Sequence, residues 1–333
     1  MRSRTIVIIL LPVMALAVTY FLGPKPATPA YRILLPEVPE QPKALEAYVS
    51  TQESKHKLKP DNNAIIVWND SSKQKTEYAV VYLHGFSASR MEGDPVHQRF
   101  AKEFGCNLYL ARFADHGIDT TEALLQFTPD RAWESAKQAM MIGKRLGHKV
   151  ILMSTSTGGT LALKLAAEYP EDISALINMS PNVALKNPAA FISNNPWGLQ
   201  IARLVVGSDY NESESEGETE KYWYNRYRLE AVCQLEELLE TTMNEKLFSR
   251  VKQPSLSLYY FKDEKEQDPQ VKVSAILEMN ERLGTPAGKK FAIDVPNAGA
   301  HVLGSSLLSH DVEGVYTLIE KFADETIGLK KVR

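Results

Sequence analysis

The side chains able to do chemistry in this chain stand in four short stretches, three of them rich in small residues and one a charged loop. The first is Ser154-Thr155-Ser156-Thr157-Gly158-Gly159. The apolar run 150–153 before it reads as a buried strand, and Leu161, Leu165 and Tyr169, with the alanines between them, read as one face of a helix. A tight strand–turn–helix step with a serine at its apex is a nucleophile elbow, in which strained backbone exposes the hydroxyl and the neighbours must be small. Ser156 sits at that apex and is the candidate nucleophile. Ser154 stands where the usual Gly-x-Ser-x-Gly spacing has its first glycine, and serine is still small enough to pack there. The competing reading is a polar loop capping a helix, or a weak phosphate cradle at its N-terminus.

The second stretch is 297–304, where His301 lies between the last strand and the last helix. On the same sheet rim as Ser156, a histidine serves as the base that takes the serine proton and later returns it to the leaving group. Read alone, it is a polar loop residue. A base needs a carboxylate to fix its tautomer, and the loop after Phe261 offers Asp263, Glu264, Glu266 and Asp268. Asp268 is preferred because one helix and one strand separate it from His301. Asp263 is second, since Asp268-Pro269 is also good chemistry for a helix cap. The fourth stretch, His84-Gly85-Phe86, follows a strand as well. The amides of Phe86 and Thr157 would together bind an oxyanion, with His84 and Gly85 beside the substrate. Its plain alternative is a glycine turn.

These stretches need a scaffold. Strands are expected at 64–68, 77–83, 106–111, 149–153, 174–179, 256–261 and 290–295. Helices are expected at 129–146, with Thr128 as cap and proline at the first position, at 269–283, and over Val312, Val315, Tyr316, Ile319 and Phe322. The alternation implies right-handed crossovers and an α/β, doubly wound, mainly parallel sheet. Ligands of such sheets lie beyond the carboxyl ends of the strands. The segment 182–251 interrupts the rhythm and reads as a helical lid insertion. It carries an acidic run at 211–220, an aromatic cluster (Tyr222, Trp223, Tyr224, Tyr227) read as packing onto the body or walls of an acyl pocket, and a helical pattern through Val232, Leu235, Leu238 and Leu239. The core thus falls into 44–181 and 252–333. His56, His97, His148 and His310 show no partner pattern and read as surface residues.

With 38 basic and 41 acidic side chains among 333 residues, the chain lacks the cationic surplus of a nucleic-acid binder. Cys106 and Cys233 make no disulfide framework. No metal-spaced Cys/His cluster, Walker loop or repeat is present, so neither a metal nor a cofactor is expected. At the N-terminus, Arg2 and Arg4 precede an apolar run over 5–22 near the lower limit of a membrane span. Ala15-Leu16-Ala17 suits signal-peptide cleavage, but the run continues past it, which favours a membrane anchor over 1–22. Either reading places the globular part outside the cytoplasm, anchored or exported. Six prolines over 23–43 suit an extended tether.

The His-Gly after a strand, the Ser156 elbow, the acid loop and His301, in the order Ser, Asp, His, resemble the α/β-hydrolase superfamily. More narrowly, the chain is similar to lipase- and esterase-like members of the serine aminopeptidase and monoacylglycerol-lipase group, over about 78–322 without most of the lid. The turn Asp115-His116-Gly117 is similar to the Gly-His-Gly turn of that group. The resemblance implies Ser156 as nucleophile, His301 as base, Asp268 as acid, and Phe86 and Thr157 as oxyanion donors. The expected activity is hydrolysis of a small carboxylic ester through an acyl-enzyme. Amide, peptide or thioester cleavage by the same triad is the alternative within enzymes, and a membrane-tethered binding protein without turnover the alternative outside them. Oligomeric state is not legible.

Overall fold

The computed structural model describes residues 14, 16–214 and 217–332. Its strands are β1 (Ile65–Val67), β2 (Thr76–Leu83), β3 (Asn107–Leu110), β4 (Gly147–Thr155), β5 (Ala175–Met179), β6 (Tyr210–Glu212), β7 (Arg226–Arg228), β8 (Ser255–Tyr259) and β9 (Lys290–Asp294). Seven form one sheet in the order β1-β3-β2-β4-β5-β8-β9, while β6 and β7 make a separate antiparallel hairpin. Only β1 runs against its neighbour in the large sheet. The middles of β2 and β4, Ala79–Leu83 and Val150–Met153, are buried and almost entirely apolar because helices cover both faces.

Register decides where the chemistry emerges. Leu83 of β2 lies beside Ser154 of β4, Ser154 beside Asn178 of β5, and Asn178 beside Ser257 of β8. The strands therefore end nearly level. The loops that follow β2, β4, β8 and β9, which carry His84 to Phe86, Ser156, Asp268 and His301, all leave from one rim.

The helices are α1 (Pro42–Glu53), α2 (Val96–Glu103), α3 (Pro129–Leu146), α4 (Thr157–Glu168), α5 (Gly198–Val206), α6 (Thr219–Tyr222), α7 (Leu229–Thr242), α8 (Glu245–Phe248), α9 (Val273–Arg282) and α10 (Val312–Phe322). On one face of the sheet, Trp133 and Met140 of α3, Leu161 and Leu165 of α4 and Leu238 of α7 bury against Val81 and Leu152. On the other, Phe100 of α2 and Tyr316, Ile319 and Phe322 of α10 bury against Leu108, Ile151 and Leu258. Each such side chain contributes roughly 1.5–3 kcal/mol on burial. Helix α3 has the bounds expected from the pattern, and Thr128 Oγ1 accepts from the Arg131 amide at 3.2 Å.

Several expectations are corrected. Helix α9 starts at Val273 rather than 269, because Asp268 first holds the amides of Gln270 and Val271 in a turn at 2.8 and 3.0 Å. The insertion is mixed rather than purely helical, since β6 and β7 flank α6. The proline-rich segment is extended but docked: Asp130 accepts from the Tyr31 amide at 2.8 Å, the Arg32 carbonyl accepts from Trp133 Nε1 and Lys137 Nζ, and Val38 is buried. His97 is not a surface residue, for its ring is buried against Tyr82 and its Nε2 meets the Arg90 carbonyl at 2.8 Å.

Most of the expected N-terminal anchor (residues 1–13 and 15) lies outside the described residues, as do Ser215 and Glu216 of the acidic run. Among the described residues no helix is long and apolar enough to cross a membrane.

Candidate active site

The backbone at Ser156 adopts φ 52° and ψ −120°, a conformation that costs a non-glycine residue about 1–3 kcal/mol and that surrounding structure must enforce. Close packing does so here. A Cβ at Gly158 would stand 1.9 Å from the Leu83 carbonyl oxygen, and one at Gly159 would stand 2.7 Å from Pro181 Cβ. Helix α4 is therefore pressed against the ends of β2 and β5, and the turn has nowhere to relax. The Ser156 amide and carbonyl are tied to the Met179 carbonyl and the Asn182 amide at 3.0 and 2.9 Å.

Ser154 explains its own departure from glycine. It is fully buried, and its hydroxyl donates to Asn178 Oδ1 at 2.8 Å across the β4–β5 pair. Ser154→Ala should lower stability by about 1–3 kcal/mol, the usual result of leaving a buried acceptor unpaired. Urea unfolding reads this, and an unchanged midpoint would show that the bond contributes nothing.

His301 and Asp268 meet across 33 residues of sequence. His301 Nδ1 lies 2.8 Å from Asp268 Oδ2, and Asp268 has no exposed surface. The other oxygen of Asp268 receives the amides of Gln270 and Val271. The cap-like and histidine-partner readings of this residue are thus both realised, one by each oxygen. Asp263 sits at the exposed tip of the loop and accepts from the amides of Lys265 and Glu266, with no contact to His301.

Burial would raise the Asp268 carboxyl, but the His301 charge and the hydrogen bonds from His301, Val271 and Gln270 outweigh it, so Asp268 lies below the usual carboxylate range. Burial would lower His301, and the facing charge and hydrogen bond of Asp268, with Glu92 further off, raise it above the ordinary value instead. With Nδ1 held by a carboxylate, Nε2 is left as the nitrogen able to accept a proton. Ser156 Oγ makes no hydrogen bond among the described residues, and such bonds often tighten only when substrate arrives.

The turn after β2 is built to fix one peptide plane. His84 is fully buried; its Nε2 accepts from the Phe113 amide at 3.0 Å, so its proton is on Nδ1 and is donated to the Gly85 carbonyl at 2.8 Å. Burial holds this ring well below the usual histidine range, hence neutral. In a trans peptide the N–H points opposite to the carbonyl, so drawing Gly85 O towards His84 turns the Phe86 amide away from it. The amides of Phe86 and Thr157 have no hydrogen-bond partner among the described residues. His84 thus orients the loop from inside, rather than offering a surface to a ligand.

The aromatic cluster of the insertion clamps this turn. The Tyr227 ring meets Phe86 edge-on at 5.3 Å, the Tyr224 amide donates to the Ser87 carbonyl at 2.8 Å, and Phe86 also touches Phe127 and His116. Tyr224 and Tyr227 thus pack onto the body. His116 of the Asp115-His116-Gly117 turn stacks edge-on with His84 at 5.0 Å. An open groove of about 860 Å³ lies at the opposite rim, lined by Ala167, Ser174, Arg250 and Pro254, and includes none of the residues above. Among the described residues, no cluster of histidine, cysteine, aspartate or glutamate has metal-binding geometry.

A family model described as serine aminopeptidase, S33, matches residues 74–250. The chain belongs to this family. Like other serine aminopeptidase-family proteins it has the α/β-hydrolase fold, and solved structures agree. It superposes on one chain from the work on the metagenome-derived lipolytic enzymes LipS and LipT with a TM-score of 0.60 at 18% identity, over 80% of this chain and 98% of that one. The Paleococcus ferrophilus monoacylglycerol lipase gives 0.58 at 14% identity, over 78% and 98%. Est1E from Butyrivibrio proteoclasticus, solved with ferulic acid bound, gives 0.53 at 18% identity, over 80% and 95%. No curated protein matches the chain significantly in sequence.

One residue beside this site escaped the sequence. Glu92 follows a run of small and polar residues with no periodicity or spacing to mark it, yet its carboxylate accepts the Gly85 amide at 2.5 Å.

Proposed function

We propose that the chain is a serine hydrolase that cleaves a small carboxylic ester through an acyl-enzyme. The observation that carries this reading is the Asp268–His301 pair, 2.8 Å long, on the rim that also holds a strained Ser156 at φ 52°. In the first step Ser156 Oγ attacks the carbonyl carbon while its proton passes to His301 Nε2. Asp268, ionised and buried, stabilises the imidazolium at Nδ1. The charge that develops on the carbonyl oxygen is accepted by the amides of Phe86 and Thr157, each such donor being worth about 10²–10³ in turnover. The bond to the alcohol breaks, and the leaving oxygen takes the proton from His301. Water then repeats the sequence with the acyl carbon and releases the acid. The lipolytic, monoacylglycerol lipase and esterase names of the structural neighbours agree with an ester substrate.

The family's description favours one alternative, release of an N-terminal amino acid by the same side chains. Initial rates on p-nitrophenyl esters of increasing chain length, beside aminoacyl anilides, separate the two. A fluorophosphonate probe should label the wild-type chain and leave Ser156→Ala unlabelled. Persistent labelling of that variant would remove Ser156 from the role of nucleophile.

A further inference from the structure

Glu92 sits in the turn Arg90–Gly93, where three parts of the site converge. Towards the turn after β2, it accepts the Gly85 amide. Gly85 in turn separates it from the elbow, because a Cβ at Gly85 would stand 2.7 Å from Glu92 Oε1 and 3.0 Å from Ser156 Cβ. The Trp223 and Tyr82 side chains favour its ionised form, the Tyr82 hydroxyl being itself bonded to Thr155 Oγ1 at 2.9 Å. The same turn is stitched to the segment that carries His301: Ser306 donates its amide to the Asp94 carbonyl at 3.0 Å, and Gly304 packs on Gly93.

A carboxylate only 2% exposed, with no lysine or arginine paired to it among the described residues, is expensive to keep. A neutral amide would fill the same space. The excess over what packing requires points to the site that it adjoins.

We propose, on the reading of Ser156 and His301 given above, that Glu92 is a positioning residue: its buried carboxylate fixes the Gly85 amide, so that the Phe86 amide is held ready for the oxyanion, and its charge faces His301. With His84 on the Gly85 carbonyl and Glu92 on the Gly85 N–H, this residue is gripped on both sides. Neither peptide plane flanking it can rotate without breaking a buried hydrogen bond. The groups facing Glu92 are Tyr82, His301 and, beyond Tyr82, Asp94. His97, which packs on Tyr82, is kept neutral by burial at about 4, and the Arg90 guanidinium is turned away to Asp61. Burial pushes Glu92 up to about 7, with the Gly85 amide and His301 pulling the other way. Glu92 and His301 therefore influence each other's titration. Because ionised Glu92 helps to hold His301 above its ordinary value, the acid limb of kcat/KM belongs to both groups.

Two substitutions test this in the full chain, with ester hydrolysis as readout. Glu92→Ala removes the acceptor and should lower kcat about 10²-fold with KM little changed, near the loss of one oxyanion donor. Glu92→Gln keeps an acceptor for the Gly85 amide. It should restore kcat to within about tenfold of wild type while moving the acid limb to lower pH, since the imidazole loses a negative neighbour. A wild-type kcat in Glu92→Ala, a Glu92→Gln variant as slow as Glu92→Ala, or an unmoved acid limb in Glu92→Gln would each overturn the proposal. If Glu92→Ala does not fold, the Glu92→Gln pH profile decides alone. Failure of the underlying reading is distinguishable, because it shows as Ser156→Ala retaining activity whatever Glu92 does.

Discussion

Asp268→Asn should lower kcat by about 10⁴-fold, while Asp263→Asn leaves it unchanged. The reason lies in the two oxygens of Asp268. Oδ1 receives the amides of Gln270 and Val271, and Oδ2 receives His301 Nδ1. An asparagine has one oxygen, and two backbone amides compete for it. The carbonyl will therefore stay on the Oδ1 side and turn its NH₂ towards the imidazole. Faced with a donor, Nδ1 must accept, which places the ring proton on Nε2, the nitrogen that has to remove the serine proton. The loop keeps its hydrogen bonds, so folding survives while the base is lost. Steady-state turnover on a p-nitrophenyl ester, with circular dichroism as the check on folding, measures both. Near-wild-type turnover in Asp268→Asn would mean that His301 does not depend on this carboxylate.

Gly158→Ala should be the most damaging single methyl in the chain, at a stability loss of about 3 kcal/mol with labelling of Ser156 abolished. The added carbon would meet the Leu83 carbonyl oxygen at 1.9 Å, its carbon at 2.6 Å and the His84 oxygen at 2.8 Å. All three are backbone atoms and cannot swing aside. Helix α4 would have to lift from β2, which releases the strained serine and separates the Thr157 amide from that of Phe86. Gly288→Ala, where nothing lies within 4 Å of the new carbon, is the control and should be neutral. Thermal unfolding and fluorophosphonate labelling of both variants decide it; equal stability of the two would show that the elbow is looser than its packing implies.

Local pattern reached far into this molecule. Thr128-Pro129 and the apolar face behind it set both ends of α3, because caps and periodicity are properties of adjacent residues. The serine between Ser154 and Gly158 marked a turn too tight for side chains, and the structure gives it a left-handed φ. The choice between Asp268 and Asp263 was weaker. Both stand in one charged loop, and only the path of that loop puts one inside against His301 and the other at its exposed tip.

Where contacts are long-range, the sequence was silent. His97 looked like any lone histidine until Tyr82 and the Arg90 carbonyl closed over it. The prolines over 23–43 favoured an extended chain, but the docking of that chain on α3 depends on Asp130 and Lys137, about a hundred residues away. Glu92 carried no signal at all.

Residue type and spacing determined that this chain folds as an alternating α/β sheet with a serine, an acid loop and a histidine after successive strands, since both depend on what a residue and its near neighbours can adopt. Tertiary structure alone decided that Asp268 rather than Asp263 meets His301, that His84 works from inside, and that Glu92 holds the turn after β2. Those outcomes depend on strand register and on which loops share a rim, and such distances are fixed only when the sheet has closed and water has left it.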